Sequence, residues 1–73
     1  MIKEADVERY LGKPVRVNLS NGKSFDGLYK YWQLDVSDDV PDAMEFYPLN
    51  GVDLQGGMVE IAAARIVSVE PLT

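Results

Sequence analysis

The chain has 73 residues, no cysteine, no histidine and a formal net charge of −5. A chain of this length makes one domain, residues 1–73, and hides only about 60% of its unfolded surface, so its core is thin. Composition excludes disulfides and the usual zinc and iron ligand sets, which leaves self-association as the open route to further burial.

Ile2, Val7, Tyr10 and Leu11 recur near helical spacing, with Lys3, Glu4, Asp6, Glu8 and Arg9 between them. Acids in the first turn suit the positive end of the helix dipole. Gly12 stands where a C-terminal glycine stop belongs and Pro14 prevents continuation, so the pattern predicts a helix over residues 3–11 with one apolar side on the body. No basic-then-apolar leader pattern opens the chain, and no stretch approaches the roughly 18 apolar residues of a membrane span. The expectation is a soluble cytoplasmic protein with no membrane association.

Val15, Val17 and Leu19 alternate with Arg16, Asn18 and Ser20, the period of a half-buried strand. Asn21-Gly22 follows as a tight hairpin turn whose two residues both tolerate positive φ. A second strand begins near Lys23, with Phe25 facing inward. Gly27 interrupts it and reads as a bulge or a sharp bend. Leu28 to Leu34 continues with aromatic and aliphatic residues on both faces.

Asp35, Ser37, Asp38, Asp39 and Pro41 break the pattern as turn formers. Ala43 to Tyr47 predicts a short strand ended by Pro48, and Asn50-Gly51 and Gly56-Gly57 mark two further turns. Met58 to Ile61 reads as a strand, Ala62 to Ala64 as one tight turn, and Ile66 to Val69 as a closing strand terminated by Pro71. The predicted fold is all-β: a small, strongly bent five-stranded barrel of SH3-like or Sm-like type with a short N-terminal helix.

This order of elements resembles the Sm and LSm family of small barrels. The family's first motif is a glycine, alternating apolar residues, a turn glycine, an aromatic and a bend glycine. It falls on Gly12, Val15, Val17, Leu19, Gly22, Phe25, Gly27 and Leu28. The second motif, Ile-Arg-Gly-x-x-Val-x-x-Ile, falls on residues 61–69, with apolar matches at Ile61, Ile66 and Val69. The resemblance implies the barrel and a ring assembly in which the fourth and fifth strands pair between subunits. It does not carry over the RNA site. The arginine and glycine of the second motif fall on Ala62 and Ala63, which cannot stack on a base or contact phosphate. The base-gripping asparagine position falls near Ser37, and Asp35 is displaced by one.

Charge points the same way. Residues 1–30 carry six bases against four acids, whereas residues 31–64 carry seven acids and no base. The acidic middle repels phosphate, which supplies most non-specific nucleic-acid affinity. Asp35, Asp38, Asp39, Asp42 and Glu45 offer the oxygen ligands that calcium favours. They lack the Asp-x-Asp-x-Asp-Gly spacing and read as a solvated loop that blunts a sheet edge. Tyr29, Tyr31, Trp32, Phe46 and Tyr47 have only Lys30 near them in sequence, so core filling or a protein contact outranks base stacking. No serine stands in a nucleophile context, and a catalytic pair is not legible.

The sequence therefore reads as a non-catalytic interaction module that needs no cofactor. It forms a homo-oligomer, with a ring as the assembly the resemblance implies, and binds a protein partner. Trp32, Val59, Val67 and Leu72 are the interface candidates; with Ile61, Ile66 and Val69 facing inward, the closing strands either meet a neighbour through Val59, Val67 and Leu72 or use all of these residues to fill the core. The alternative is an RNA-binding Sm-like protein using a basic N-terminal face of Arg9, Lys13, Arg16, Lys23 and Lys30.

Overall fold

The structure is a computed structural model and describes residues 2–34, 42–49 and 57–72. The turns expected at Asn50-Gly51 and Gly56-Gly57 and the acids Asp35, Asp38 and Asp39 lie wholly or partly outside those residues.

The N-terminal helix is shorter than its periodicity predicts. It comprises α1 (Glu4–Val7) followed by a 3-10 turn over Glu8–Tyr10. The Lys3 backbone N–H donates to Asp6 Oδ2 at 2.9 Å, one half of a capping box. Val7, at φ −120° and ψ 0°, leaves the α-helical region and ends the regular turns. Val7 is also the only buried side chain of the segment. So short a helix is unstable alone and is held by that one packing anchor. Gly12 at φ +79° then reverses the chain into the sheet.

Five antiparallel strands follow: β1 (Pro14–Leu19), β2 (Ser24–Gln33), β3 (Ala43–Pro48), β4 (Val59–Ala62) and β5 (Ile66–Pro71). Their order in the sheet is β4-β3-β2-β1-β5. Strand β2 is the pivot, since its first half pairs with β1 and most of its length with β3. A 3-10 turn over Ala63–Arg65 joins β4 to β5, at the place where a tight turn of alanines is expected. Among the described residues no ladder joins β4 to β5, so the sheet has two ends.

Two local expectations are corrected. The β1–β2 hairpin is not a two-residue Asn-Gly turn. Gly22 N–H donates to Leu19 O at 3.0 Å and Leu19 N–H to Lys23 O at 2.8 Å, which encloses a three-residue loop, Ser20-Asn21-Gly22. Only Gly22 is left-handed, at φ +86°, as in a type I turn closed by a glycine bulge. Asn21 instead uses its side chain, accepting the Lys23 N–H at Oδ1 (2.9 Å). The second correction concerns the irregularity of β2, which falls between Tyr29 and Tyr31 rather than at Gly27. Gly27 has a different job. A Cβ there would lie 2.6 Å from Phe25 Cε2, 2.9 Å from Phe46 Cβ and 3.1 Å from Tyr47 O. It clears space for a phenyl ring and the neighbouring strand.

The core lies on the inner face of the sheet. Val15 and Val17 of β1, Tyr29 of β2, and Met44 and Phe46 of β3 are closed off from solvent, with Val7, Ile61, Ala63 and Ile66 around them. Phe46 sits between Phe25, edge-on at 5.5 Å, and Tyr29 at 5.8 Å. Trp32 joins this core and Leu19, Phe25, Val59 and Val69 pack against it, while alternation along the strands sends the intervening side chains to the outer face.

Candidate functional site

The two ends of the sheet are the first candidate surface. Backbone groups alternate between the two sides of an antiparallel strand. Leu72 N–H donates to Pro14 O at 3.1 Å, which places Glu70 and Ser68, opposite Arg16 and Asn18, in the hydrogen-bonded pairs with β1. The N–H and C=O of Val69 therefore point to the open edge. On the other side, Ala63 N–H donates to Asp42 O at 2.8 Å. By the same alternation Ile61 and Val59 bond to β3, and Glu60 turns its N–H and C=O outward.

The interface candidates divide on this frame. Val67 is 67% exposed and Leu72 38% exposed. Val59 is half-buried against the core and stands opposite Phe46. Ile61 and Ile66 are buried and Val69 packs on the core. Trp32 is corrected: it is a core residue at 8% exposure, and its indole N–H donates to Asp42 Oδ2 at 2.9 Å. Its place opposite Met44 in the ladder turns it inward, so it offers no surface to a partner. A groove of about 570 Å³ runs beside β5, with Ile2, Val7 and Tyr10 on one wall, Val67 and Val69 on the other, and Asp6 and Arg9 at its charged positions.

Three of the five basic candidates are engaged, each by a different group. Arg16 forms a two-pronged bond to Asp26, at 2.8 and 3.0 Å. The hydrogen bond from Arg16 holds the Asp26 carboxyl below its ordinary range, and the same bond raises the guanidinium further. Glu70 faces Arg16 from the other neighbouring strand, so this base lies between two acids. The Lys30 ammonium rests 5.1 Å from the centre of the Tyr47 ring and the Arg9 guanidinium 5.5 Å from that of Tyr10. Lys13 and Lys23 are exposed. Lys23 directly precedes β2 and Lys30 lies within it, about 23 Å further along an extended strand at ~3.3 Å per residue.

The outer face of β1, β2 and β5 is a bonded polar surface. Asn18 Nδ2 donates to Ser68 Oγ at 3.0 Å and to Glu70 Oε1 at 2.8 Å. On β3 and β4, Glu45 and Glu60 stand opposite each other, with Tyr31 in the same row. The side-chain amide of Gln33, with its nitrogen turned to the carboxylates, donates to Glu45 Oε2 at 3.0 Å and Glu60 Oε2 at 2.6 Å. The Tyr31 hydroxyl donates to the Glu45 carboxylate, which holds the proton on Tyr31 and raises that hydroxyl above its ordinary value. Among the described residues no group of three acidic side chains gathers closely enough to hold a metal ion, and no helix is long and apolar enough to cross a membrane.

Between these polar rows runs an apolar row that is not legible in the sequence. Leu28 stands opposite Pro14 on one side and Tyr47 on the other, and Leu72 follows Pro14 through its backbone bond. Pro14, Leu28 and Tyr47 each flank a buried residue of their own strand, Val15, Tyr29 and Phe46, so they face outward, and Leu72 lies opposite Pro14 on the same face. The signal was absent from any one segment, because the row draws one residue from each of several strands. Comparison with family models, with curated proteins and with solved structures finds no match to this chain.

Proposed function

We propose that the protein is a non-catalytic interaction module of Sm-like type that self-associates through its sheet ends and binds a protein partner. The observation that carries this reading is the sheet order β4-β3-β2-β1-β5, in which the outer edges of β4 and β5 pair with no other strand among the described residues. An exposed edge is a template for another strand. Two different edges on one chain make a head-to-tail contact, which generates a closed ring when the rotation permits. Such a contact would close the strongly bent sheet into a barrel wall shared between copies, and would cover Val67. The strand order and the first-motif residues Gly12, Gly22 and Gly27 support the Sm-like reading. The location of Arg16 between Asp26 and Glu70 counts against RNA as the main ligand, since a phosphate approaching it meets two carboxylates.

Light scattering on a sizing column across a dilution series tests this. The expected result is a mass several times the chain's 8.1 kDa that is stable on dilution. Val67→Lys, which places a charge at the β5 edge, is expected to reduce it to monomer while the fold persists. A monomeric wild type at every concentration overturns the proposal.

A further inference from the structure

We infer that the apolar row on the outer face is the docking surface for the protein partner, and that the partner presents a basic segment bearing apolar side chains. This rests on the protein-binding half of the reading above and uses the outer face of the sheet rather than the backbone of its edges, although the row's ends, Leu72 and Met58, adjoin edge strands β5 and β4.

The row runs across the strands through Leu72, Pro14, Leu28 and Tyr47. Met58, one residue before β4, continues the register opposite Tyr47. Tyr47, Met58 and Leu72 are each about 40% exposed, and Leu28 and Pro14 are half-buried. Adjacent strands lie about 4.8 Å apart, so the five positions span about 19 Å. Scattered exposed apolar residues are ordinary, whereas a contiguous row rimmed by polar groups marks an interaction site.

Charge selects the occupant. On one side of the row lie Glu70, Arg16 and Asp26, and on the other Tyr31, Glu45 and Glu60, with the Lys30 ammonium over the Tyr47 ring. Both bases are already engaged, Arg16 by Asp26 and Lys30 by the Tyr47 ring. Four acids, Glu70, Asp26, Glu45 and Glu60, thus stand beside the row against two bases. A second copy of this chain would bring the same acids against these, and nucleic acid or an anionic lipid surface would be repelled. A segment with Lys or Arg beside its apolar side chains satisfies both the row and its rims, and complementary charge also speeds encounter.

Amide-resolved NMR titration of the full chain tests the inference. The probes are a synthetic peptide repeating Leu-Lys-Lys-Leu and its counterpart with Glu in place of Lys. The Lys peptide is expected to shift the signals of Leu28, Tyr47 and Leu72, and the Glu peptide is not. Tyr47→Ser and Leu28→Ser are each expected to weaken binding at least tenfold, and Glu60→Lys to weaken it several-fold, with the dispersed spectrum of the fold retained. The inference is overturned if the Lys peptide fails to bind, if both peptides bind equally, if the serine variants bind like wild type, or if the shifts fall instead on the groove beside β5. Light scattering on the same samples reports self-association separately, so a failed peptide titration and a failed assembly are told apart.

Discussion

Gly27→Ala is the most exacting test of how this sheet is packed. The new methyl would stand 2.6 Å from Phe25 Cε2, 2.9 Å from Phe46 Cβ and 3.1 Å from Tyr47 O. The first obstacle is the end of a side chain and can swing away. The other two belong to β3 at its backbone and can yield only if the strand moves. Forcing a methyl into a filled site costs about 1–3 kcal/mol. Displacing the Phe25 ring also gives up its edge-on contact with Phe46, about 0.5–1.5 kcal/mol. Alanine narrows the unfolded ensemble and returns about 0.4–1 kcal/mol. The net is a loss of about 2 kcal/mol, or about 8–16 °C in Tm for a domain of this size. That is a large share of the total for so short a chain. Urea unfolding followed by the fluorescence of Trp32, the only tryptophan, reads the change directly. Phe25→Leu in the same background should recover part of the loss, with a favourable coupling of at least about 0.5 kcal/mol. A Gly27→Ala protein as stable as wild type would refute the packing argument, and strict additivity with Phe25→Leu would absolve the Phe25 ring.

Two further outcomes follow from named groups. Asp42→Ala leaves the Trp32 indole N–H, bonded at 2.9 Å, without its acceptor and should cost about 1–3 kcal/mol in urea unfolding. Asp42→Asn keeps a carbonyl oxygen there and should cost less, so equal losses would show that the hydrogen bond is not the source. Burial pushes the Tyr29 hydroxyl up to about 12, with the negative charges of Glu4 and Glu8 adding to the effect. A folded pKa above the unfolded value of about 10 means that this contribution is complete below pH 10 and is lost as pH rises towards 12, up to about 3 kcal/mol. Tyr29→Phe should flatten that alkaline limb of the unfolding midpoint, leaving the smaller part due to Tyr31, and unchanged limbs in the variant would sink the assignment.

The sequence by itself determined the elements. Alternation at Val15, Val17 and Leu19 specified β1 and its buried face, because a strand's side chains have a period of two. Gly12 and Gly22 announced the left-handed positions, because only a residue without Cβ adopts them freely. Pro48 and Pro71 marked the ends of β3 and β5 to within a residue. What the tertiary structure decided was every relation across strands. The β2 irregularity near Lys30 depends on matching β3, so local composition misplaced it at Gly27. Trp32 carried the composition of an interface anchor, but the register opposite Met44 sent it into the core. Arg16 looked like part of a basic face until pairing set it between Asp26 and Glu70. The outer apolar row gathers Pro14, Leu28, Tyr47 and Leu72 from positions up to 58 residues apart in the sequence, because neighbours on a sheet face are fixed by hydrogen-bond register rather than by proximity along the chain.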